Sequence, residues 1–163
     1  MDDSKFTGDQ KITLLSAWAL IKPELDIHGR NLYLLLYREY PRFKPFFDFC
    51  TDGICTIKHV RGREMEAHSI QVFRILGQLI EEGLRDSEIF ENTLRAIALA
   101  HADTGVTGAD VREFGGVLLS YLVDALGPQA SNSLTVAFEK LVDLVGESFD
   151  FLYLARERLN FVL

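Results

Sequence analysis

Little in this chain punctuates or staples it. Of its 163 residues, two are Cys, four are Pro and one is Trp. Two Cys make neither a four-cysteine zinc site nor a disulfide scaffold. A single domain over residues 1–163 needs neither, because a chain of this size buries roughly 68–70% of its unfolded surface. No apolar run approaches ~18 residues, so no membrane span is expected. The start, MDDSKFTGDQ, is acidic and polar, unlike a secretory signal. Asp2 excludes myristoylation, and the end, LNFVL, has no Cys to prenylate. There is no N-x-S/T sequon. A cytoplasmic protein with reduced thiols is expected. Basic residues are also scarce: 17 Lys and Arg face 24 Asp and Glu, a net charge of −7. That balance argues against nucleic acid and against an anionic membrane surface as partners. Gly-rich phosphate loops and nucleophile elbows are missing, and neither His68 nor His101 has a second His or Cys three or four residues away. So are strand-like alternation and internal repeats.

What is present is helical. Hydrophobic residues make up 48% of the chain and charged residues 25%, a globular balance. Thr7 and Gln10 form a capping box, followed by Ile12, Leu14, Leu15, Trp18 and Ile21. Pro23 marks a break. A second helix is expected over about 24–40, and Pro41 opens an aromatic turn, PRFKPFFDF. A third is expected over about 62–82 with Gly83 as its C-terminal cap. A fourth starts at Asp86 or Ser87 and reaches His101. A fifth covers 109–126, and a sixth begins near Pro128, a residue suited to a first helical position. The expectation is an all-α domain of about six main helices plus short turns. Short extensions, 1–6 and 155–163, flank it. Gly115-Gly116 are small enough to admit a neighbour to the fifth helix.

Four His stand at 28, 59, 68 and 101. A lone His among apolar helical residues is ordinarily a core or boundary residue, so neither His68 nor His101 identifies a site by itself. The set does. Trp18 in the first helix, His28-Gly29 ten residues later, Pro41 opening a short turn, and Phe47 six residues on all fall in one register. His68 with Val72 follows on the third helix, then His101 preceded by Ile97, then Phe114 on the fifth. This constellation resembles the globins from about Phe6 to Leu154. The segment between the two His is a few residues longer than in myoglobin-like chains, which is similar to several invertebrate globins.

The resemblance implies a globin fold, three helices on three, around haem b, with no C-x-x-C-H for covalent attachment, and with the second and third helices crossing closely at the small residues Gly29 and Ser69. It implies that Phe47 stacks on the haem, that His101 is the proximal iron ligand and that His68 is the distal residue. Haem iron takes a neutral imidazole whose second nitrogen donates to a carbonyl or hydroxyl. For His101 a backbone carbonyl near Ile97 is the expected acceptor. Gln71, Val72, Ile97 and Phe114 are expected to line the cofactor, with Phe46, Phe49 and Phe73 as further aromatic candidates. Gln71 as a solvated helix residue is an equal reading. Arg63 and Arg74 are candidates for pairing with propionates. Tyr33 falls in register at the second-helix position that faces the ligand, where myoglobin-like chains are apolar. Its hydroxyl would add a second donor beside His68.

The implied function is reversible binding of O2 at ferrous iron, for storage, transport or facilitated diffusion, with CO and NO as other ligands. The alternative is a six-coordinate bis-His globin, with His68 as sixth ligand, in redox, nitrite or nitric oxide chemistry or in gas or redox sensing. A dedicated dioxygenase is disfavoured because no reductase domain fits in this length. Cys50 and Cys55 are close enough in sequence for a disulfide, while a cytosolic setting favours two thiols. Phe161, Val162 and Leu163 are apolar enough to pack on the body or on a second copy. Burial of apolar surface against a cofactor should leave the haem-free chain less stable than its composition suggests.

Overall fold

The computed structural model describes residues 5–46 and 63–160. Phe47, Phe49, Cys50, Cys55, Phe161, Val162 and Leu163 lie outside them. Among the described residues there are six α-helices and no strand. No described helix is long and apolar enough to cross a membrane.

Helix α1 runs over Gly8–Ile21. The Thr7 hydroxyl accepts the Gln10 N–H at 3.2 Å, and the Gln10 side chain accepts the Thr7 N–H at 3.0 Å. Leu14, Trp18 and Ile21 form its buried stripe, whereas Ile12 faces out. Pro23 lacks the N–H needed to continue the helix, and the chain passes through a 3-10 turn, Lys22–Glu24, into α2, Leu25–Glu39. Gly29, Leu32, Tyr33, Leu36 and Tyr37 line the buried face of α2. A second 3-10 turn, Pro41–Phe46, follows.

Helix α3, Arg63–Gly77, does not stay α-helical to its expected end. It widens into a π-turn over Gln78–Gly83. Gly83 is not a left-handed cap either, since positive φ occurs only at Gly105 and Gly127 among the described residues. Its small size serves contact instead: a Cβ there would lie 2.8 Å from the Phe90 ring.

Helix α4, Ser87–Ala100, is capped by Asp86, whose carboxylate accepts the Glu88 and Ile89 N–H groups. Helix α5, Gly108–Leu126, opens on a second capping box, Thr107 with Asp110. Gly127, at φ +54°, ends it. Pro128 does not start the last helix. It sits in a 3-10 turn, Gly127–Gln129, and extended Ala130 separates that turn from α6, Asn132–Asn160. The Ser131 hydroxyl caps the start of this helix, accepting the Leu134 N–H at 3.1 Å.

The helices pack as pairs: α5 on α6, α2 on α3, α1 on α6 and α4 on α6. Small residues set the closest approaches. A Cβ on Gly29 would lie 2.9 Å from Ser69 Cβ and Oγ, which is the crossing expected of that pair. Gly115 admits Val142 of α6, whereas Gly116 faces open space. The core is one cluster in which Phe73, Leu32, Leu36 and Phe138 are almost completely buried. Phe73 stacks on both Trp18 and His28, each at 6.5 Å between centroids. It therefore belongs to this core, which corrects the expectation that it lines a cofactor. His28 is held by a 2.8 Å hydrogen bond between its Nδ1 and the Tyr121 hydroxyl.

Candidate functional site

The last four carbonyls of any α-helix lack intrahelical partners. At the end of α4 the residue that satisfies several of them is His101. Its backbone N–H reaches the carbonyls of Ala98 and Leu99. Its ring Nδ1 lies 2.8 Å from the Ile97 carbonyl oxygen, the acceptor expected from the sequence. A carbonyl only accepts, so the proton is on Nδ1 in this bond. The neutral ring then carries its lone pair on Nε2. The imidazole is half-buried, with the Phe149 ring of α6 tilted against it at 5.3 Å. The chain leaves α4 in a turn where the Thr104 hydroxyl donates to the His101 carbonyl at 2.7 Å.

The second group of residues comes from α2 and α3. Spacing along α2 turns Tyr33 inward, where it is 1% exposed. The close Gly29–Ser69 crossing brings it to His68, and the two rings meet edge to face at 5.5 Å. Phe114 of α5 lies 6.0 Å from the same Tyr33 ring, and Tyr37 lies one helical turn on, also at 6.0 Å. Burial pushes the Tyr33 phenol well above its ordinary value, so it stays a protonated hydroxyl. Burial likewise lowers the affinity of half-buried His68 for a proton, and the charge of His101 lowers it further.

Val72, Ile97 and Phe114 are half-buried hydrophobics packed against the core. Phe46 is half-buried against Phe43 at 6.2 Å. Gln71 and Arg74 are exposed. The structure thus brings His68 and Phe114 to Tyr33. Phe47 lies outside the described residues.

This donor set fits haem. The His101 Nδ1 proton is engaged by a carbonyl, so the neutral form of the ring has its lone pair on Nε2, which is the form an iron ligand requires. A second imidazole stays neutral beside a phenol that cannot ionise. Phe149 makes a contact with the His101 ring that sequence reasoning missed. Its periodicity in α6 marks it as core, and nothing local indicates that it faces His101.

The globin family model matches residues 30–149, most of the chain. Hemoglobin-3 of Phacoides pectinatus is 26% identical over 121 residues, covering 74% of this chain and 78% of that relative. A globin of Buccinum undatum is 25% identical over 142 residues, covering 85% and 95% of the two chains. A globin of Tritia mutabilis is 25% identical over 146 residues, covering 87% and 97%.

Proposed function

The chain belongs to the globin family, a haem-binding family whose members take small gas ligands such as O2, and from that premise we propose that it holds haem b and binds O2 reversibly at ferrous iron. His101 is the iron ligand, and His68 with Tyr33 holds the gas. Haem supplies a ferrous iron with a coordination position open to a diatomic ligand. His101 presents Nε2 to it in one tautomer, because the bond from Nδ1 to the Ile97 carbonyl fixes both proton and ring orientation. Neutral His68 keeps one N–H donor. Tyr33, buried and un-ionised, offers a hydroxyl from the neighbouring ring. Val72, Ile97 and Phe114 supply apolar contact, and Phe47 is assigned the stacking position by its register alone.

The observation that carries this reading is the 2.8 Å Nδ1 contact of His101. The test is the visible spectrum of the haem-loaded ferrous protein with and without O2. One broad band without gas, converted reversibly by O2, is the expected result. Sharp split bands without gas mean that His68 occupies the sixth position, and the bis-His alternative replaces this one. His101→Ala should abolish the normal haem spectrum. Its retention would remove His101 from the iron.

A further inference from the structure

The family match ends at Phe149, yet α6 continues without interruption to Asn160. The course of that added length is set by α5. A Cβ on Gly108 would lie 2.1 Å from the Asp150 carboxylate, so the two helices are in contact there. Arg112 adds ion pairs to Asp143 at 3.5 Å and to Asp150 at 3.0 Å. Phe149, at the same level, touches the His101 ring. Arg156, two turns further along, reaches back to the turn that follows His101. Its guanidinium donates to the Ala102 carbonyl, and its other amino group donates to the Asp103 carboxylate at 2.8 Å.

The backbone on either side of the His101 ring is thus held from two directions. Ile97 is bound by the ring itself. Ala102 and Asp103 are bound by Arg156. Between them the ring has Phe149 against one side. Other bonds of the turn are internal to it: the Thr104 N–H and hydroxyl both donate to the His101 carbonyl, and the Val106 N–H donates to the Thr104 hydroxyl. Asp103, Thr104 and Gly105 are exposed, and Gly105 takes φ +78°.

We propose that Arg156 is a positioning residue for the His101 imidazole, and that the end of α6 acts as a strut locking the turn after α4. A planar fork suits this task, because it donates to a carbonyl and a neighbouring carboxylate at once and a lysine ammonium does not match both. The proposal rests on the assignment of His101 to the iron, and Arg156 itself touches neither iron nor gas.

The test compares the haem-loaded wild type with Arg156→Met, which keeps the aliphatic stem, and Arg156→Lys, which keeps the charge. Two readouts are used. Hydrogen exchange over residues 102–106 reports the lock itself. The iron–histidine stretching band of the ferrous, gas-free protein reports the ring. Arg156→Met should speed exchange in that turn about two- to fivefold, the factor that corresponds to an exposed ion pair, and exchange in α2 should stay unchanged. The stretching band should shift or broaden in Arg156→Met and return only partly in Arg156→Lys. Faster exchange with an unmoved band would overturn the positioning role, as would unchanged exchange in the turn. Neither result touches the ligand assignment, which the spectrum of His101→Ala decides separately.

Discussion

Tyr33 shows how one side chain sets a property of the whole site. A phenol in a core is tolerated when its hydroxyl serves a polar purpose, and this one is 1% exposed beside His68. If the hydroxyl holds bound gas, its hydrogen bond is worth about 1.5–3 kcal/mol, or roughly ten- to a hundredfold in affinity. Tyr33→Phe should therefore accelerate O2 dissociation at least about tenfold with little change in melting temperature. Stopped-flow release of O2 checks this, and an unchanged rate removes the hydroxyl from the ligand. Register in α2 placed Tyr33 at a ligand-facing position, and its contact with His68 was legible that far. Its tilted contact with Phe114 was not, because those residues meet only through packing of α2 on α5.

At the level of the element, the start of α5 gathers several small devices. Asp110 accepts the Thr107 N–H at 2.8 Å and the Thr107 hydroxyl at 2.7 Å. Arg42, from the turn after α2, bonds Asp110 at 2.9 Å and pairs with both oxygens of Glu113, while its guanidinium lies 4.3 Å over the Phe43 ring. Burial alone would raise the Asp110 carboxyl, but the bonds from Arg42 and Thr107 outweigh it and hold the group below its ordinary 3.8. A carboxylate depressed in the fold adds stability above its unfolded value, and that stability is lost as pH falls through the folded value. Asp110→Asn should cost about 1 kcal/mol at neutral pH, as other lost caps do. The difference from wild type should shrink as pH drops below 3.8, read by urea unfolding at a series of pH values. The capping box itself is local and was not picked out in the sequence, although a helix over 109–126 was. The Arg42 clamp spans 68 and 71 positions and had no local signal.

Across the whole molecule, the site depends on how closely α2 and α3 cross. Gly29 against Ser69 is the point of closest approach: an added Cβ would meet Ser69 Cβ and Oγ at 2.9 Å and its backbone carbon at 3.1 Å. Backbone cannot swing aside as a flexible side chain does, so the helices would have to separate. Gly29→Val should destabilise the fold by about 1–3 kcal/mol, the usual range for overpacking. It should also loosen the Tyr33–His68 contact. Thermal melting measures the first effect, and the CO-bound infrared band measures the second. Gly29→Ala should be milder, because the gain of about 1 kcal/mol in helix propensity offsets part of the strain.

Helix periodicity and caps follow from short-range physics, so they could be read along the chain: Thr7 and Asp86 stand where spacing placed them. The set of Trp18, Pro41, Phe47, His68 and His101 pointed to the family, and the bond from His101 to Ile97 followed because both lie on one helix turn. Local rules failed where long-range contact outweighed propensity. Gly83 is small for Phe90 and not for a turn, and Phe73 fills the core between Trp18 and His28. Phe149 and Arg156 reach His101 and its turn from about 50 positions away along the chain, where periodicity carries no information. Which side chains could act was thus decided by residue type and spacing. Which of them meet was decided by the packing of α6 against α4 and α5, because close packing of whole helices is a cooperative, non-local property.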